Sequence, residues 1–408
     1  MKRLNLMIIL LVSFFCINTT LAQKKEISLA KDQVKSGDNL GQAQANMQKL
    51  LKDSANQRNL KIWNLLYESV RKQYEQGNEK LYLKQSYDTA QLFNLARQLF
   101  EVAEGMDSVE MLPDSKGRVR IEFRRSHAEY LRQIRPNLYS GGLWFIRKQK
   151  YLEAYEMLNQ YLHCVNIPLF ANYEYRQKDK NISTAAYWAV FCGYKMQDPQ
   201  ATLHHSYEAL KDTMHYDYML QYLAETYKLE KDSVRYLSTL KDGFRHAPKF
   251  PFFFPRLIEY YVGANQLDSA MHVTDKALEI DSLNQTYLFT KSTLLLNQGK
   301  NAESLAISEK LLAVKDSLPE VYYNAGLANF NMAVLLDKNI QASRSRHRDI
   351  NQYYRKAMPY LETYRKLMPK DVDKWALPLY TIYLNLNMGK EFDEIDKLVK
   401  TKNINKNQ

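Results

Sequence analysis

Four segments of 34 residues begin at 217, 251, 285 and 319, and this fixed period constrains the fold more than any other feature of the chain. At positions 4, 7, 8 and 11 the first segment carries Leu220, Leu223, Ala224 and Tyr227, and the second Phe254, Leu257, Ile258 and Tyr261. The third keeps Leu288 and Leu295 but places Lys291 and Ser292 between them; the fourth has Tyr322, Ala325, Gly326 and Asn329. Spacing of this kind lays one apolar stripe along an α-helix. A second stripe of smaller side chains follows in each segment, with Leu240 before Pro248, then Ala270 and Ala277, then Leu311. Leu267-Asp268-Ser269-Ala270 and Gly299 fall where the chain must turn between the two stripes. One such helix pair cannot bury its apolar face alone, so consecutive pairs must stack. Only 13 glycines occur in 408 residues, which argues against glycine-rich β or phosphate-loop architectures and for an all-α chain.

The pattern continues in both directions with distortions. Residues 183–216 carry Tyr187, Trp188, Val190 and Phe191 before Ala209, and 135–168 carry Leu138, Gly141, Gly142 and Phe145 before Ala154, Leu158 and Tyr161. Nearer the start, Trp63, Leu66, Tyr67 and Val70 pair with Ala96, Phe100 and Ala103 across some 17 extra residues, which predicts long helices. A 19-residue insertion in the fourth segment delays its second stripe to Ala357, Leu361 and Tyr364, and a last pair holds Trp375, Leu379, Ile382, Phe392, Ile395 and Val399.

These motifs resemble tetratricopeptide (TPR) repeats of the exported bacterial type, over most of 42–400. The resemblance implies an all-α, right-handed α-solenoid of TPR-like helix–turn–helix repeats, and a concave groove lined by the first helix of each pair. The organisation expected is a signal peptide at 1–22 and a disordered leader at 23–41. A long-helix region at 42–134, irregular repeats at 135–216 and regular repeats at 217–371 follow, with an insertion at about 335–352. A capping helix pair and a polar tail, expected to fray from Lys400, occupy 372–408. Groove positions carried over from the family are Tyr218, Gln221, Glu225 and Lys228, then Phe252 and Glu259, then Phe289 and Thr293, then Tyr323, Leu327 and Phe330. TPR adaptors that clamp a C-terminal carboxylate use Lys, Asn and Arg at such places. Position 5 here is Gln221, Pro255, Phe289 and Tyr323, and position 9 is Glu225, Glu259, Thr293 and Leu327, so these units lack the clamp. What remains is an aromatic and apolar strip that suits a partner's helix or extended segment, or that packs between neighbouring helices.

The first residues set the expected compartment. Lys2 and Arg3 precede an apolar run from Leu4 to Ile17, and Thr20-Leu21-Ala22 carries the small residues of a signal-peptidase site, predicting cleavage after Ala22. Ser13 and Phe15 around Cys16 do not make a lipobox, so soluble export to the periplasm, or secretion, is the expectation, with no transmembrane segment. Cys164 and Cys192 then sit in a disulfide-permissive compartment, as a bridge or as two buried thiols. The formal charge of +12 is read as solvated lysine or as an attraction for acidic proteins or anionic envelope polymers; nucleic acid is not an expected partner for an exported chain.

Two basic stretches stand out. Lys116 to Arg125 alternates Lys116, Arg118, Arg120, Arg124 and Arg125 with Val119, Ile121 and Phe123, and Ser343 to Arg348 lies in the insertion. Both read as solvated linkers or as contacts for an acidic partner. Asp followed by Ser or Thr and an apolar residue recurs at Asp53, Asp88, Asp107, Asp212, Asp232, Asp268, Asp281 and Asp316. That tripeptide resembles an O-glycosylation signal of some Gram-negative bacteria, and equally the Asp caps of inter-helix turns.

No metalloprotease, nucleophile-elbow, phosphate-loop or CxxC motif is present, so no catalytic, metal or cofactor residue is expected. His204 and His205 are adjacent and point about 100° apart on a helix, not toward one metal. The function these observations imply is a scaffold or adaptor for protein–protein interaction. The alternatives are an envelope-assembly or carbohydrate-associated factor, and last a helical-repeat enzyme built on converging Glu225 and Glu259.

Overall fold

The computed structural model describes residues 23–314, 318–338 and 344–406, and those residues form helices, turns and connecting loops with no β-strand among them. The expected signal peptide at 1–22 lies outside the described residues, as do Asp316 and Ser343. The chain divides into two compact units, Met1–Tyr236 and Leu237–Gln408.

The first unit runs through α1 (23–36), α2 (Leu40–Leu51), α3 (Leu60–Tyr82), α4 (Thr89–Glu110), α5 (Arg124–Arg147), α6 (Tyr151–His163), α7 (Tyr175–Lys178), α8 (Ile182–Met196), α9 (Pro199–His204), α10 (Ser206–Ala209) and α11 (Tyr216–Leu229). Helix α12 (Ser233–His246) carries the chain into the second unit. There α13 (Phe253–Gly263), α14 (Leu267–Ile280), α15 (Gln285–Asn297), α16 (Asn301–Val314), α17 (Pro319–Asp337), α18 (Arg344–Leu367), α19 (Val372–Asn385) and α20 (Gly389–Lys406) follow. Successive helices of a pair pack on one another, as α2 with α3, α5 with α6, α15 with α16 and α17 with α18, and first helices also meet across pairs, as α15 with α17, α17 with α19 and α5 with α8. That double adjacency makes each unit an all-α helical-repeat solenoid of TPR-like pairs.

The repeat is written in the backbone as well as in the side chains. Gln197, Lys231, Asn265 and Gly299, spaced by 34, all adopt left-handed φ between 55 and 75°. Each ends the first helix of its pair. The next residue's N–H reaches back five residues, as Asp198 to Gly193 O (3.0 Å), Asp232 to Tyr227 O (2.9 Å), Gln266 to Tyr261 O (2.7 Å) and Lys300 to Leu295 O (2.9 Å). This is the Schellman closure, which satisfies the last carbonyls of a helix and reverses the chain. Gln149 and Asn387 repeat it in the outer pairs, with Lys150 to Phe145 O (3.0 Å) and Met388 to Tyr383 O (2.9 Å). In α8 a close approach also demands glycine, because a Cβ on Gly193 would lie 2.4 Å from the backbone nitrogen of Thr202 in α9.

Deviations from the repeat have local causes. The polar Ser292 of the third segment is fully buried. Its hydroxyl lies 3.1 Å from the Ser304 hydroxyl and 2.7 Å from that of Ser308, while Ser304 donates to Ser292 O at 2.8 Å. Small hydroxyls there let α15 and α16 approach closely and satisfy one another. The extra residues near the start become helix length, α3 having 23 residues and α4 22. Much of the late insertion does the same, α17 having 19 residues and α18 24, against 13 and 14 in α15 and α16.

Three expectations are corrected. The leader is not disordered, because 23–36 is helical with Ile27 and Ala30 buried in the core beside Ala43 and Met47, and Lys72 Nζ donates to Val34 O at 2.6 Å. Its apolar stripe of Ile27, Ala30 and Val34 suffices because α2 and α3 supply the rest of the core. The polar tail stays helical to Lys406 rather than fraying at Lys400. Residues 344–348 of the second basic stretch form the start of α18, not a loop. Cys164 and Cys192 are free, buried thiols, and burial pushes each up to about 12. Asp88, Asp212 and Asp232 each accept a backbone N–H at a turn, which is the capping role open to them.

Candidate functional site: the first-helix face of α8 and α11

The first-helix surface of the first unit carries a concentrated aromatic face. On α8, Trp188, Phe191 and Lys195 fall three and four residues apart, with Tyr194 alongside; on α11, Tyr218, Tyr222, Glu225 and Leu229 do the same. Such spacing puts each set on one side of its helix. Packing of α8 against α11 then joins the two stripes. Phe191 meets Trp188 edge-on at 5.6 Å, Tyr151 edge-on at 6.0 Å and Tyr222 at 5.9 Å, and Tyr194 stacks on Tyr222 at 4.5 Å. Tyr187 stacks on His215 at 4.2 Å, and the His215 ring meets Asp212 at 3.1 Å, fixing the start of α11. Burial raises the Tyr187 and Tyr222 phenols above their ordinary range, so both stay neutral.

The face is apolar in its floor and polar at one end. Lys195 holds its ammonium over the rings of Phe191 (5.4 Å) and Tyr194 (5.7 Å), and the Tyr194 hydroxyl donates to the Glu225 carboxylate. A cavity of about 340 Å³ opens here, with Tyr194, Lys195, Asp198, Thr202, Glu225 and Leu229 in its wall. Leu229, 54% exposed, borders this cavity beside one cation and two carboxylates, and Tyr218, 47% exposed, lies about two turns before Glu225 on α11. Aromatic rings beside placed polar groups can seat an apolar side chain and hold a neighbouring peptide group by hydrogen bonds.

The sequence-derived groove residues separate in the structure. Tyr218, Gln221, Glu225 and Lys228 lie together on α11, with Lys228 over the Tyr236 ring at 5.9 Å. In the second unit Phe252 is buried, edge-on to Phe253 at 5.3 Å, and Glu259 is exposed on α13. Phe289 is half-buried, and Thr293 donates to Phe289 O (3.1 Å) and accepts from Asn324 (2.9 Å). Tyr323 and Phe330 lie against α18, 5.2 Å from Tyr364 and 5.8 Å from Tyr354, and Leu327 is half-buried between them in sequence. The aromatics of the second unit therefore serve inter-helix packing more than an open strip. Phe191 and Tyr194 were missed as groove residues. The same positional rule applied one unit earlier, to 183–216, selects Thr184, Tyr187, Phe191 and Tyr194.

No protein-family model and no curated protein matches the chain. Among solved structures it is similar to the C-terminal part of a TPR repeat-containing protein from Cytophaga hutchinsonii, with a TM-score of 0.45 and 10% identity over 64% of this chain and 93% of that one. It is also similar to a human IFIT1 dimer with m7Gppp-AAAA, with a TM-score of 0.35 and 13% identity over 77% and 74%. A TPR repeats protein from Bacteroides fragilis gives a TM-score of 0.31 and 16% identity over 65% and 98%. The TPR-like character of the helix pairs rests on their 34-residue Schellman turns and stacking.

Proposed function

We propose that this chain is an exported scaffold that holds a segment of another protein against the α8–α11 face. The observation that carries the reading is the exposure of Tyr218 and Leu229 beside half-buried Trp188, Phe191 and Tyr194. Exposed tyrosine over a rigid aromatic floor costs little side-chain entropy on binding, and such rings dominate protein interfaces. Lys195 and Glu225 at one end offer one charge of each sign for registering a partner. Export, with cleavage after Ala22, is the compartment that goes with this reading.

The test is a photo-crosslinking residue in place of Tyr218, compared with the same residue in place of Tyr207, which is 78% exposed on α10. Crosslinks to one defined protein from position 218 alone are expected in intact cells. Equal crosslinking from both positions, or none from 218, refutes the assignment. Mature protein recovered from the same cells should begin at Gln23.

A further inference from the structure

A second surface lies on the strap between α4 and α5. Its two ends are pinned. The buried Glu110 carboxylate accepts the N–H groups of Glu122 (2.9 Å) and Phe123 (3.1 Å), and Asp107 holds Arg124 through paired bonds of 2.6 and 3.0 Å. At the other end Asp114 accepts the N–H groups of Lys116 (2.8 Å) and Arg118 (3.0 Å) and pairs with the Arg118 side chain (3.1 Å). Between these anchors the N–H groups of Val119, Arg120 and Ile121 make no hydrogen bond among the described residues, nor do the carbonyls of 119–122.

The pinned stretch has the residue pattern of a strand and no strand beside it. Val119 and Ile121 alternate with Arg118, Arg120 and Glu122, and Val119 and Ile121 are 52% and 45% exposed. Unpaired donors and acceptors on such a segment are a template for an added strand. A cavity of about 690 Å³ beside it is walled by Ile121, Arg125, Glu129, Arg132 and Tyr173, with the Arg132 guanidinium over the Tyr173 ring at 5.6 Å.

Charge selects the occupant. Lys116, Arg120, Arg125 and Arg132 have no carboxylate partner among the described residues, against Glu122 and Glu129 of the opposite sign. A second copy of the strap, paired antiparallel about its middle residue, would match Arg118 with Glu122 but set Arg120 against Arg120. It would supply no carboxylate for Arg120, whereas an acidic strand supplies one. We infer that residues 118–122 dock an extended acidic segment of another protein by strand addition, its carboxylates meeting Arg120, Arg125 and Arg132. A helical partner would leave the 119–121 amides without partners.

The experiment uses the mature chain and a fluorescein-labelled decapeptide alternating Glu with Val or Thr, read by anisotropy at low salt. Val119→Pro removes a donor in an exposed stretch, and Arg120→Glu with Arg125→Glu reverses the charge. Each should weaken binding by about tenfold or more. Peptide binding should also slow amide exchange at 119–121. N-methylation of alternate peptide amides repeats the backbone test without altering the protein, and should weaken binding likewise. The proposal is overturned if the decapeptide does not bind. It is overturned too if N-methylation changes nothing while charge reversal abolishes binding, or if inorganic polyphosphate competes and the amides of 119–121 stay unprotected, the pattern of a polyanion site.

Discussion

Replacing Arg135 with Met tests whether a buried cation organises the irregular stretch between α6 and α8. Arg135 is 5% exposed, lies between the rings of Tyr161 (3.8 Å) and Tyr175 (3.9 Å), and donates to Asp179 at 2.6 Å and to Tyr161 O at 3.1 Å. Through these contacts α5 ties the long non-repeating connection between α6 and α8 to the end of α6, holding it at Tyr175 and Asp179. Breaking a buried pair by removing one partner costs about 3–5 kcal/mol. Methionine fills much of the space between the rings, offsetting roughly 1 kcal/mol. The net loss expected is about 3 kcal/mol, or roughly 10 °C in the unfolding midpoint of a unit this size.

Asp179 supplies the sign of the pH dependence. Burial alone would raise its carboxyl, but hydrogen bonds from Tyr161, the Asn181 N–H and Arg135, with the charge of Arg135, hold it below the ordinary range. A depressed carboxylate stabilises above its unfolded value, and that stability is lost as pH falls through the folded one. The gap between wild type and Arg135→Met should therefore be widest at pH 7 and close below about pH 4. Adding Asp179→Asn should recover part of the loss, since a neutral amide needs no cation. Urea unfolding followed by circular dichroism reads all three. A loss under about 1 kcal/mol, or a gap unchanged between pH 3 and pH 7, refutes the argument.

Two further predictions follow from buried polar groups. Ser292→Leu, which restores the apolar residue that the repeat calls for, should destabilise the second unit by about 1–3 kcal/mol through overpacking against Ser304 and Ser308, while Ser292→Ala should cost about 1 kcal/mol; chemical denaturation distinguishes them. His127, buried with its ring 3.9 Å from that of Tyr67, is lowered from 6.5 to about 4 by burial and then by the charge of Arg71, so the unfolded chain binds the extra proton between those values. Stability should fall by about 3 kcal/mol as pH drops from 6.5 to 4, and His127→Phe should flatten that part of the profile measured by thermal unfolding.

The fold was legible where one residue type repeats one physical task. Large residues at fixed positions of each 34-residue segment fill the space between stacked helices, and Gly299 marks a left-handed turn that Lys231 and Asn265 adopt without a glycine signature. Those two turns could be placed only by phase, because the Schellman bonds that hold them are made by backbone. Helix α1 was missed for a different reason. Ile27, Ala30 and Val34 make a weak stripe among Lys24, Lys25, Lys31 and Asp32, and its helicity depends on a core that lies in α2 and α3. The free thiols were also beyond spacing, since Cys164 and Cys192 could lie near or far in successive repeats.

The groove was less legible because a positional rule assumes that every pair presents the same face. An insertion that lengthens α17 and α18 gives Tyr323 and Phe330 new neighbours in Tyr364 and Tyr354, so residues in groove positions become packing residues. On α11 Tyr218 keeps 47% of its surface exposed, and the positional rule applied one unit before the strongest motif selects Phe191 and Tyr194 of the same face. The strength of a repeat motif measures how regular its core is. The freedom of a surface to bind depends instead on what the neighbouring helices leave uncovered. That is why the irregular first unit, with its aromatic face and its unpaired strap, carries both candidate surfaces.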